Sequence, residues 1–112
     1  MVTCQGAVVQ NTQSNPDIVT AAWFLVGATR DGAAGITYIN GMDRTDAPDT
    51  HINPTTQNQP LHIGIRQSGT GPVTRDAPLN GSIAYPRIWG DRALNPIDMK
   101  SIWDYERHWF GV

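Results

Sequence analysis

The chain is poor in the residues that build surface helices and in those that make cross-links. Of its 112 residues only Glu106 is a glutamate and only Lys100 is a lysine, which excludes an architecture dominated by charged helices. Cys4 is the only cysteine, so an intrachain disulfide and a cysteine-based zinc site are both excluded. No apolar run approaches the roughly 18 residues of a membrane-spanning helix. The first ten residues, MVTCQGAVVQ, lack the basic start and long apolar stretch of a signal peptide, so the chain as written carries no export address. The seven arginines lie singly and the formal net charge is −2, which speaks against a nucleic-acid footprint or a polybasic membrane patch.

What is present favours strands and turns. Apolar residues make up 39% and charged ones 16%, with 11 glycines and 8 prolines, a balance suited to short pleated segments joined by tight reversals. The length fits a single domain, residues 1–112, that buries roughly 65% of the surface its unfolded chain exposes.

Periodicity and turn signals divide the chain into successive segments. Residues 3–9 read as a first strand, and the polar connection after it turns at Asn15-Pro16. Residues 20–30 (TAAWFLVGATR) form a β-branched and aromatic run that stops at Asp31-Gly32, a strong hairpin signal. Residues 35–41 (GITYING) supply the return strand and close on Asn40-Gly41. Residues 42–60 lack apolar periodicity and read as a long surface loop. Residues 61–66 (LHIGIR) and 81–89 alternate like strands, with Pro86 marking the second as an edge strand or a bulge. A helix is predicted from Pro96 to about His108. Asn95 caps it, Pro96 fits its first position, Asp98 faces its positive end, and Leu94 and Met99 are spaced as a hydrophobic staple. Ile102, Trp103, Tyr105 and Trp109 are expected to offer apolar surface to the sheet.

WFLVGATRDG at 23–32, YING at 38–41, LHIGIR at 61–66 and LNGSIAYPRIWGDRALNPIDMKSIW at 79–103 resemble, in that order, the C-terminal strands of the laminin G-like, concanavalin A-like jelly roll. The resemblance implies an all-β fold, an antiparallel two-sheet β-sandwich with a short C-terminal helix. Trp23 matches a core position of that family. Trp89 is assigned to the core from its alternating face. The chain departs from the family at Ala84, where an aspartate is usual, and in its length. With about 20 residues before Trp23, the chain is expected either to form a minimal sandwich with fewer strands or to lack the family's earlier strands and leave edges and a core face open. An open sheet edge seeks a partner, so a homo-oligomer or a scaffold subunit is expected to cover it.

Glycosidases of this superfamily carry two carboxylates on one strand as acid and nucleophile or base. No strand read here presents such a pair, so an enzyme is not expected. Asp43, Asp46 and Asp49 recur every third residue in the loop, with His51 beyond. Three hard oxygen donors suit calcium, which laminin G-like domains sometimes bind, although carboxylates capping turns are the commoner use of such residues. No other cofactor is expected. Cys4 reads as an inert buried thiol, and His62 as a solvent-facing strand residue. Trp109 and Phe110, near the chain end, are the aromatic residues expected to be exposed, either stacking on a sugar ring or docking on another subunit.

These expectations amount to a non-catalytic recognition or assembly sandwich. It would bind a glycan or surface ligand through Asp43, Asp46, Asp49 and Trp109, with loops 42–60 and 67–78 at one end. The alternative is a structural virion or surface-layer component whose interface holds Trp109 and Phe110. Either role places the protein outside the cell or on a virion or cell surface.

Overall fold

The computed structural model describes residues 2–5, 8–15, 21–52, 63–68, 74–76 and 78–112. Nine short strands precede a single helix among them: β1 (Val2–Gln5), β2 (Val8–Asn11), β3 (Gln13–Ser14), β4 (Val26–Asp31), β5 (Ala34–Ile39), β6 (Met42–Asp43), β7 (Thr45–Ala47), β8 (Arg66–Ser68), β9 (Thr74–Asp76) and α1 (Pro96–Glu106). The described strands form four antiparallel groups, β1-β2, β3-β7, β4-β5-β6 and β8-β9. The fold is mostly β with one short C-terminal helix, as expected.

Two tight turns build the central sheet. Asp31 pairs with Ala34 across Gly32 and Ala33, and Gly32 adopts φ +57°, which a residue without Cβ accepts at little cost. Ile39 pairs with Met42 across Asn40 and Gly41, at φ +53° and +74°. Two positive φ angles in succession define the type I′ turn that Asn-Gly favours, and its twist matches that of the flanking strands. Asn40 also binds back to the chain, accepting from the Leu25 amide at 3.1 Å and donating its own amide to the Leu25 carbonyl at 2.9 Å.

Strand β5 is covered on both faces. Tyr38, 1% exposed, packs with Leu94 and Met99 in a core joined by Leu25, Ile36 and Ile102. On the other face the Thr37 hydroxyl donates to the Gln13 carbonyl of β3, while the Thr37 amide reaches the Thr45 hydroxyl of β7 at 2.9 Å. Burying side chains of this size contributes about 2 kcal/mol each. Among the described residues this core cluster lies between β5 and α1.

Several predicted elements are corrected. The single strand at 3–9 is instead two antiparallel strands, β1 and β2, with Cys4 opposite Val9, and residues 6–7 lie outside the described ones. The run at 20–30 becomes a strand only from Val26, after Ala21 takes φ +68°. The loop at 42–60 begins with β6 and β7, and its residues 53–60 lie outside the described ones. The strand at 61–66 is displaced to β8, because Gly64 bends the chain at φ +77°. Leu61 and His62 lie outside the described residues.

The largest departure is at 81–89, which joins no ladder. Pro86 has no amide to donate, and Tyr85 before it adopts φ +50°, which breaks the alternation of faces that a strand requires. Ile83, Ile88 and Trp89 are exposed, and so is Trp23 at 40%. Neither tryptophan is in the core, because no second described layer covers the faces they occupy.

Candidate functional site

The sequence around α1 fixes a rigid post. The Asn95 carbonyl oxygen Oδ1 accepts from the Ile97 and Asp98 amides at 2.8 and 3.0 Å, and Asp98 Oδ2 accepts from the Asn95 amide at 3.0 Å. This reciprocal capping box satisfies three amides that the helix would leave open. Hydrogen bonding from the Asn95 amide, then from Arg92, holds the Asp98 carboxyl below its ordinary range. Leu94 and Met99 are both buried and pack as the predicted staple. Lys100 and Asp104 pair one turn apart at 2.5 Å. The Asn40-Gly41 turn lies against the helix so closely that a Cβ at Gly41 would stand 2.8 Å from Lys100 Cα.

The helix ends at Glu106, shorter than predicted, and tightens into a 3-10 turn, Arg107–Phe110, closed by Gly111 at φ +72°. Of the two aromatic residues on this turn that were expected to be exposed, Trp109 is and Phe110 is half-buried. Tyr105 is 69% exposed and Trp109 49%, so neither of the two lies on the sheet as expected, while Ile102 and Trp103 are half-buried. Their rings form one connected surface. Trp109 lies 5.6 Å from Tyr105, 5.8 Å from His108 and 6.0 Å from Tyr85, and Tyr85 lies 6.2 Å from Phe110, which meets Trp23 at 5.0 Å. Tilted and edge-on rings at such spacings are favourable pairings, and each tyrosine, tryptophan or histidine adds a polar edge to an apolar face.

Beside this surface Arg87 and Glu106 form a two-pronged ion pair, with Nη1 donating to Oε1 at 2.7 Å and Nη2 to Oε2. The hydrogen bond to Glu106 raises the Arg87 guanidinium above its ordinary value, against a smaller lowering by burial. The same guanidinium lies 5.7 Å from the Trp89 ring, within reach of a cation–π attraction.

The three aspartates of the loop stand apart from these rings in their bonding. Asp43 caps a turn by accepting from the Thr45 amide at 2.9 Å, Asp49 accepts from the Thr50 amide at 2.8 Å, and Asp46 is exposed on β7. Among the described residues no group of three or more His, Cys, Asp or Glu is placed to hold a metal ion. Asp49 does help line an open cleft of about 340 Å³ with Ala33, Ala34, Gly35, Pro48 and Thr50. Its amide donates to the buried Thr12 hydroxyl at 3.1 Å, and that hydroxyl also bonds the buried His51 ring at 2.7 Å. Since the His51 amide holds the Ala33 carbonyl at 2.9 Å, this polar cluster fastens the loop to the β4-β5 turn.

A family model described as the concanavalin A-like lectin/glucanases superfamily matches residues 2–99. The chain belongs to this superfamily. No curated protein and no solved structure matches it. Trp23 and Tyr85 fall inside the stretch that matches the superfamily model, whereas Tyr105, His108, Trp109 and Phe110 lie beyond it. No helix among the described residues is long and apolar enough to cross a membrane. Sequence reasoning singled out Trp109 and Phe110 and missed Trp23, Tyr85 and Tyr105 as their neighbours. Of these three, only Tyr105 gave a local signal, through its four-residue spacing from Trp109, because the contacts of Tyr85 and Trp23 join residues 24 or more apart.

Proposed function

We propose that the protein is a non-catalytic recognition domain, a jelly-roll relative that binds a saccharide on the ring surface of Tyr105, Trp109, Tyr85, Phe110 and Trp23. The observation supporting this reading is the exposure of so many mutually contacting aromatic rings, with Tyr85 at 66% and Tyr105 at 69%. Water-facing aromatic faces are costly to leave bare, and the axial hydrogens of a pyranose ring give it a matching apolar face. No single described strand carries two carboxylates, and the only glutamate, Glu106, is held by Arg87. In this reading Asp43 and Asp49 accept backbone hydrogen bonds within the loop and Asp46 faces solvent, and the protein works outside the cell or on a virion or cell surface.

Isothermal titration with cellohexaose and laminarihexaose, followed also by tryptophan fluorescence, tests the proposal. Trp109→Ala is expected to weaken binding about 30-fold, the effect of losing an interface anchor worth about 2 kcal/mol, with no change in melting temperature. Absence of binding to oligosaccharides of either linkage refutes the saccharide reading. If light scattering then shows self-association that Trp109→Ala abolishes, the surface belongs to an assembly interface.

A further inference from the structure

The segment 81–94 crosses to the aromatic surface without a ladder to hold it. Leu79 is tied to the Gly64 carbonyl at 2.7 Å and Leu94 is buried in the core, but between these anchors the side-chain hydrogen bonds among the described residues are those of Arg87 with Glu106 and of Arg92 with Asp98. Arg92 acts at the helix cap, next to the buried anchor. Only Arg87 binds in the middle, two residues from Tyr85.

Tyr85 is where the segment most needs holding. Its φ of +50° lies in the left-handed region, which side chains with a Cβ rarely adopt and which persists only where the surroundings impose it. Its ring is 66% exposed, so burial does not fix it. What it gains there is contact with Trp109 and Phe110. The opposing restraint is geometric, since a forked pair holds both the distance and the orientation of the two chains. Glu106 keeps only 13% of its side-chain surface exposed and Arg87 38%, so water screens this pair less than a fully open one.

We propose, resting on the saccharide reading above, that Arg87 and Glu106 are positioning residues. Their ion pair clasps segment 81–94 to α1 and holds Tyr85 beside Trp109 and Phe110, so that the rings from the two segments form one binding surface. Arg87 and Glu106 need not touch the ligand. The clasp also makes the surface salt-sensitive, because its ion pair weakens as ionic strength rises.

The test uses the full chain and three variants: Glu106→Gln, Arg87→Gln, and the exchanged pair Arg87→Glu with Glu106→Arg. Nuclear Overhauser contacts of the Tyr85 ring with the Trp109 and Phe110 rings are recorded beside cellohexaose affinity and melting temperature. Each single variant is expected to lose most of the Tyr85 contacts and to bind about fivefold more weakly, the scale of one partly exposed ion pair, at an unchanged melting temperature. The exchanged pair is expected to recover the contacts and to bind within about twofold of the wild type. Single variants that keep their Tyr85 contacts overturn the clasp, as do losses that follow a fall in melting temperature. If the wild type binds no saccharide, the reading of the surface fails, while the Tyr85 contacts still decide whether the pair positions the rings.

Discussion

Replacing Gly41 by alanine tests the seat of the helix on the sheet. The new methyl group would stand 2.8 Å from Lys100 Cα, 2.9 Å from Trp103 Cβ and 3.0 Å from the Met99 carbonyl oxygen. All three are backbone atoms or the first atom of a side chain, so no rotamer change relieves the clash, and α1 must move away. Two costs combine. The left-handed φ of +74° costs an alanine about 1 kcal/mol, and forcing a methyl into a packed contact costs about 2 kcal/mol more. Against a total stability of about 5 to 15 kcal/mol, a loss of about 3 kcal/mol lowers the melting temperature by roughly 10 to 15 °C. Gly32→Ala is the internal control, since Gly32 has φ +57° but open space within 4 Å. It carries the strain alone, about 1 kcal/mol. Urea unfolding followed by circular dichroism gives both values. If the two variants lose the same stability within 0.5 kcal/mol, the turn does not support the helix and the reasoning fails.

Met99→Ala is expected to cost about 3 kcal/mol, because Met99 is 5% exposed and fills the core beside Tyr38; urea unfolding measures it. Tyr38→Phe is expected to raise stability by about 1 kcal/mol, since the buried Tyr38 hydroxyl has no hydrogen-bond partner among the described residues and its desolvation is then uncompensated. A destabilised Tyr38→Phe would reveal a partner. Asp98 makes stability acid-sensitive: its folded pKa is depressed below 3.8, so its contribution is complete above that value and disappears as pH falls through the lower folded value. Melting curves across pH 2 to 6 should show Asp98→Asn losing part of the wild-type acid slope, within about one pH unit of the ordinary carboxyl value. Asn95→Ala removes two capping bonds and is expected to lose about 1 kcal/mol.

The parts of the fold legible in the sequence are those governed by local rules. Asn40-Gly41, Asp31-Gly32 and the Leu94 to Met99 cap and staple each specify a conformation through residues next to one another, and all three stand in the structure. The order of four short blocks was enough to place the chain in its superfamily. Burial was less legible. Alternation shows which side chains share a face, but another layer decides whether that face is covered, so Trp23 and Trp89 were assigned to a core they do not enter. In 81–89 the same alternation could not reveal the left-handed Tyr85 that interrupts it. For the candidate site, Trp109 and Phe110 were visible as aromatic residues near the chain end, but their neighbours depend on where 81–94 folds back over α1.

On the saccharide reading proposed above, helix α1 separates stability from recognition by face. Met99, Ile102 and Trp103 turn toward the sheet and the Asn40-Gly41 turn, whereas Tyr105 and, within the 3-10 turn, Trp109 turn to solvent. Glu106 lies between them and faces Arg87. Substitutions on the inner face should therefore lower the melting temperature, and by loosening the helix they should weaken ligand binding in proportion. Substitutions on the outer face should weaken binding alone. The two classes differ in how affinity varies with temperature: Met99→Ala should regain much of its binding on cooling, as the folded fraction recovers, whereas Trp109→Ala should stay weak at every temperature. Equal recovery in both would mean that the rings contribute through folding, and the aromatic surface would then be a structural tail.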